Sequence, residues 1–99
     1  MAITVAVIGA GSWGTTIASL VAENTPTVLW ARRADLAAQI DRHHVNPDYL
    51  PDFVLAPTLR ATSSMAEAVG GADVVVMATP SQGYRTVAAE VAEIGRAHV

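Results

Sequence analysis

The sequence predicts an α/β fold, a parallel sheet of about four short strands with flanking helices. Three observations predict it. Short apolar or β-branched runs recur at residues 3–8, 27–30, 59–62 and 74–78, suited to strands of a buried parallel sheet. Segments with apolar residues at helical spacing lie between them. Glycine, proline and small polar residues punctuate the joins, as in Glu23-Asn24-Thr25-Pro26 and Gly70-Gly71.

The first run passes directly into Gly9, Gly11 and Gly14 at G-x-G-x-x-G spacing, and Trp13, Ile17, Leu20 and Val21 follow at helical intervals. A bare G-x-G-x-x-G also occurs in ordinary turns, but between a strand and a helix it is a dinucleotide-binding fingerprint. Gly9 lets the chain turn sharply, Gly11 lets the backbone approach a pyrophosphate, and Gly14 lets the helix pack on the strand. Unsatisfied N–H groups and the positive dipole end at the helix start favour an anion. The expected architecture is therefore Rossmann-type. It is also truncated, because a complete fold has two βαβαβ halves and 99 residues hold little more than one.

The first helix is expected from about Gly11 or Ser12 to the breaker at Pro26, and residues 27–30 form the second strand. An NAD-type site places a carboxylate after this strand, to accept hydrogen bonds from the ribose 2′-hydroxyl. Here the chain reads Ala31-Arg32-Arg33-Ala34, with no carboxylate before Asp35. Guanidinium groups pair with a 2′-phosphate, so Arg32 and Arg33 point to NADP(H), or to acceptance of both NADP(H) and NAD(H). The alternative is a solvated arginine pair in a loop.

Asp35 is expected to cap the next helix, which buries Leu36, Ala37 and Ile40 and ends near His43. Adjacent residues of a helix diverge, so His43 and His44 read as structural rather than metal ligands, and no metal site is expected. Residues 45–51, with two prolines, form a rigid connection whose Tyr49 offers a flat face to an adenine. Ser64 and Glu67 have capping-box spacing for a short third helix. Asp73 leads into a buried fourth strand, which exits at Thr79-Pro80-Ser81 towards the ligand-binding end of the sheet. Ser81 is expected to cap a last helix patterned to about Ala92.

Composition excludes several classes. A net charge of −3 argues against a general nucleic-acid or anionic-membrane surface. The apolar run at residues 3–8 is too short to span a bilayer. With no cysteine there is no thiol nucleophile, thiolate metal site or disulfide framework, which fits a reducing cytoplasmic location. All six basic residues are arginines.

Together these features resemble the NAD(P)-dependent glycerol-3-phosphate dehydrogenases. The resemblance rests on Gly9-Ala10-Gly11-Ser12-Trp13-Gly14-Thr15, Leu29-Trp30-Ala31-Arg32-Arg33, Asn46-Pro47-Asp48-Tyr49-Leu50-Pro51, and residues 72–76 running into Thr79-Pro80-Ser81. It implies that Ser12, Trp13, Arg32 and Arg33, with Tyr49, contact NADPH. It implies reversible reduction of dihydroxyacetone phosphate to sn-glycerol 3-phosphate, for glycerophospholipids, and a homodimer when full length. The lysines that serve substrate binding and proton transfer in that family would lie beyond Val99, so none of these residues is expected to be catalytic.

Residues 1–92 thus read as a partial NAD(P)-binding domain without its C-terminal substrate domain. Residues 93–99 abandon the helical pattern and resemble a translated sequencing adapter, so a non-native or frayed tail is expected there. The sequence leaves open a stand-alone NAD(P)-sensing module, and another hydroxyacid or ketone dehydrogenase.

Overall fold

Period-two alternation along the first strand sets the layering. In the computed structural model, which describes residues 3–97, strand β1 (Val5–Ile8) is wholly buried. Val5 and Val7 join one core cluster and Ala6 and Ile8 the other, because successive side chains of a strand point to opposite faces. A strand with cover on both faces buries every position in this way, whichever face each side chain points to.

The sheet is parallel throughout, in the order β3-β2-β1-β4, with β2 at Thr27–Trp30, β3 at Arg60–Thr62 and β4 at Val74–Met77. Val5 pairs with Thr27 on one side and Val74 on the other, so the glycine turn leaves the sheet from its middle. Parallel neighbours need crossover connections. Helices α1 (Ser12–Ala22) and α2 (Ala34–His43) supply two, and bury Ala18, Ala22, Leu36, Ala37 and Ile40 in the first cluster. Helix α3 (Met65–Val69) and helix α4 (Ser81–Ala97) cover the second, through Met65, Ala68 and Val87.

Residues 44–59 are irregular but tied down. Leu55, Ala56 and Leu59 are core residues, the Ala56 N–H donates to Ser19 Oγ (2.9 Å), and the Thr58 hydroxyl donates to the Ala22 carbonyl (2.7 Å). Asp41 on α2 accepts the Ala61 N–H (2.9 Å) and Arg60 Nε (3.0 Å), fastening β3 to its crossover helix.

Several expectations need correction. Asp35 does not cap α2: the helix starts at Ala34 with Arg33 as N-cap, and the Asp35 carboxylate turns back onto the Arg33 guanidinium. Half of the capping box forms: the Glu67 N–H donates to Ser64 Oγ (3.2 Å), but the Ser64 N–H donates to Thr62 Oγ1 (3.0 Å) rather than to the Glu67 carboxylate. Strand β4 is apolar yet not buried, with Val74 46% and Val75 36% exposed, because it lies at the sheet edge with little cover. Ser81 is the first residue of α4 rather than a cap ahead of it, and the helix continues past Ala92 to Ala97. Ile94 extends the stripe of Val87 and Val91 onto the second cluster, which overrides the weak propensity around Gly95. His98 and Val99, the end of the string that resembles an adapter, lie outside the described residues.

Candidate nucleotide-binding site

With β2 on one side of β1 and β4 on the other, the connections after β1 and β4 diverge. A crevice opens at the carboxyl ends of those two strands, the switch point where open α/β sheets bind ligands. Here it is a cavity of about 610 Å³. All eight residues singled out for cofactor contact line it: Gly9, Gly11, Ser12, Trp13, Gly14, Arg32, Arg33 and Tyr49.

The three glycines stand apart in what confines them. Gly9 has φ +124°, and a Cβ there would sit 2.7 Å from the Ala78 carbonyl oxygen. A Cβ on Gly14 would come within 2.0 Å of the Gly9 carbonyl oxygen, so α1 approaches the strand end as closely as backbone permits. Gly11 is different: its φ of −76° suits any residue, and a Cβ would meet nothing within 4 Å. Neither fold geometry nor packing requires glycine at this position. What an added methyl would take is ligand space in front of the turn.

Gly11 is also the N-cap of α1, makes no side-chain cap, and no acidic residue occupies the helix's first turn. The leading N–H groups of α1 therefore meet the cavity unpartnered, the arrangement that receives phosphate oxygens. Thr79 and Pro80, expected at the β4 exit, line the opposite wall, and the buried Thr79 hydroxyl has no hydrogen-bond partner. The Ser81 side chain lies outside the described residues. These features fit a dinucleotide.

The two arginines, read as a pair, differ. Arg32 lies over the Trp30 ring, 5.9 Å from its centroid, and among the described residues has no carboxylate partner. Arg33 is engaged on both edges. Its Nε and NH2 bond Asp35 (3.2 and 2.7 Å), and its NH1 bonds Asp48 at 2.5 Å. The bonds to Asp35 and then Asp48 hold the Arg33 proton even more firmly than usual, and Arg33 in turn lowers the Asp35 carboxyl.

Sequence reasoning missed Asn46 as an individual residue. It is completely buried, and its Nδ2 donates to the Ala10 carbonyl and to Thr15 Oγ1, both at 2.9 Å. Its Oδ1 accepts the N–H groups of Asp48 (3.2 Å) and Tyr49 (3.3 Å). One side chain thus braces the carbonyl inside the glycine turn and holds the segment that presents Tyr49. The signal was the Asn-x-x-Tyr-Leu-Pro segment itself, whose asparagine had no assigned purpose.

His43 and His44 do not line the cavity. His44 caps α2 in the left-handed region (φ 57°), and its carbonyl accepts the Leu55 N–H (2.8 Å). No cluster of three potential metal ligands occurs among the described residues.

Residues 4–99 match the family model described as the N-terminus of NAD-dependent glycerol-3-phosphate dehydrogenase. An NAD(P)+ glycerol-3-phosphate dehydrogenase of Sphingopyxis alaskensis is 52% identical over 90 residues, covering 91% of this chain and 27% of that protein. One from Thermobifida fusca is 51% identical over 84 residues, 83% of this chain and 25% of its own length. Among solved structures, the glycerol-3-phosphate dehydrogenase of Saccharomyces cerevisiae superposes with a TM-score of 0.83 at 28% identity, over 92% of this chain and 30% of that one. The Coxiella burnetii enzyme gives 0.83 at 26% identity, over 94% and 29%. The chain spans about a quarter of the length of the curated relatives it matches.

Proposed function

We propose, because this chain belongs to the family of NAD-dependent glycerol-3-phosphate dehydrogenase N-termini, that it is the cofactor-binding segment of such an enzyme and holds NADP(H) or NAD(H) at the glycine turn. The observation that carries this reading is the cavity at the carboxyl ends of β1 and β4, lined by the glycine turn, the uncapped start of α1, Arg32 and Tyr49. The pyrophosphate rests against the N–H groups that open α1. The adenosine end extends towards Arg32 and Tyr49, and the nicotinamide end towards Thr79 and Pro80.

When bound, the nicotinamide supplies the hydride that reduces dihydroxyacetone phosphate to sn-glycerol 3-phosphate. This segment binds and orients it. With no lysine, the chain offers no ammonium group for the substrate phosphate or for proton transfer, so those tasks belong to residues elsewhere in the full-length protein. The full-length protein acts in the cytoplasm, in keeping with the cysteine-free sequence, and no helix among the described residues is long and apolar enough to cross a membrane.

The test is Gly11→Ala in the full-length protein. The added methyl meets open space, so stability should stay within about 0.5 kcal/mol of the parent. NADPH affinity, measured by titration calorimetry, should fall about tenfold or more as the methyl displaces the pyrophosphate. Undiminished NADPH binding by this variant rejects the pyrophosphate cradle. A parent protein that binds NADPH but never oxidises it with dihydroxyacetone phosphate supports instead the sensing module.

A further inference from the structure

Two arginines, Arg32 and Arg33, line the adenosine end of the cavity, and two carboxylates outside its lining, Asp35 and Asp48, pair with Arg33, so the four carry no net charge. A 2′-phosphate brings about two negative charges to that end, and a 2′-hydroxyl brings none. The distribution of the four therefore matters more than their number. Arg32 keeps its guanidinium free of carboxylates among the described residues. Arg33 is divided: Asp35 takes Nε and NH2, and Asp48 takes NH1.

Asp35 and Asp48 stand in different relations to the fold. Asp35 sits in the first turn of α2, where a carboxylate is favoured by the helix dipole. Asp48 lies on the irregular segment held by Asn46, and what fixes it there is its own backbone N–H on Asn46 Oδ1. Its carboxylate is not needed for that bond. Nor does Asp48 line the cavity; its carboxylate bonds Arg33 NH1 from outside that lining.

Resting on the cofactor reading above, we propose that Asp48 sets the balance between the two cofactors, acting through Arg33 as a brake on recognition of the 2′-phosphate. With Asp48 in place, Arg32 is the one uncommitted guanidinium offered to NADP(H), and NAD(H) is accepted without facing a surplus of positive charge. Without the Asp48 carboxylate, Arg33 keeps Nε and NH2 on Asp35 but is compensated by one carboxylate instead of two, so more of its positive charge is left for the 2′-phosphate and a repelling charge is removed. Asp48 is thus a specificity-determining, positioning residue that touches neither cofactor.

The test is Asp48→Asn in the full-length enzyme, which keeps side-chain size and the backbone bond to Asn46. Dissociation constants for NADPH and NADH are read by tryptophan quenching at two ionic strengths. NADPH binding should tighten about three- to tenfold at low salt, less at high salt, while NADH stays within about twofold. Asp48→Ser, which also lacks the carboxylate, should reproduce the shift, and in an Arg33→Ala background Asp48→Asn should lose most of it. An unchanged ratio, or equal change for both cofactors, overturns the proposal and leaves the cofactor reading standing. A parent enzyme that binds neither cofactor overturns both.

Discussion

Strands β1 and β4 are neighbours in register and nearly alike in composition, Val-Ala-Val-Ile against Val-Val-Val-Met, yet the first is sealed and the second half open. The difference comes from position. β1 has a strand on either side and helices over both faces, whereas β4 has β1 on one side only and sits at the sheet edge. Apolarity records the surroundings a strand is suited to; its neighbours decide how much of that surface leaves water. The glycine turn is built on the sealed side, and Thr79 and Pro80 on the open one, so the cavity has one firm wall and one lightly supported wall.

The largest expected contrast is between matched truncations in this chain. Ile8→Ala removes a fully buried side chain and should cost about 2–5 kcal/mol. Val75→Ala, at an exposed position, should cost about 0.5 kcal/mol. Urea denaturation followed by circular dichroism measures both, and equal losses would break the distinction between the two strands.

Asn46→Ala tests the brace on the sealed wall. It strips partners from the Ala10 carbonyl, Thr15 Oγ1 and two N–H groups, and should cost about 1–3 kcal/mol. A near-neutral result in the same denaturation assay would show that the turn holds its shape without the brace.

The smallest effect is a pH dependence at the far edge of the same half. Burial alone pushes the Asp41 carboxyl up, but the Ala61 N–H and the Arg60 guanidinium outweigh it and hold the group below the ordinary range. The unfolded chain therefore takes up this proton first as acid is added. The contribution of Asp41 is complete above the ordinary carboxylate pKa of about 3.9 and is lost as pH falls through the lower folded value. Asp41→Asn should flatten the acid limb of the stability profile while leaving its slope near neutrality unchanged. An unaltered acid limb would remove Asp41 from the account.

Most of the fold was legible because local chemistry and tertiary placement agree. The breaker at Pro26 and the run Thr27–Trp30 define β2, Leu36, Ala37 and Ile40 face the core as their spacing requires, and Ser64 caps α3. The failures have separate causes, one a competing neighbour two residues away and the others set by tertiary placement. Asp35 looked like a cap, but Arg33 offered its carboxylate a stronger, charge-assisted bond. Val74 and Val75 read as buried, but no spacing rule says whether a further layer covers them. The eight residues singled out from motif and resemblance all line one cavity. The engagement of Arg33 by Asp48 and the reach of Asn46 to Ala10 cross long stretches of sequence, and local pattern carries no trace of them.

The two tryptophans divide the molecule optically. Trp30 is 6% exposed, with its indole N–H on the Ser63 carbonyl (3.1 Å), and belongs to the second core cluster. Trp13 is 61% exposed on the cavity wall. Their emission should therefore separate into a blue component that reports whether the sheet is folded and a red component that reports solvent access to the site. A ligand seated at the turn should dim the red component first, and denaturant should shift the blue one. Trp30 also borders the cavity, so its component answers to a ligand as well as to unfolding, and Trp13 is the channel weighted towards occupancy.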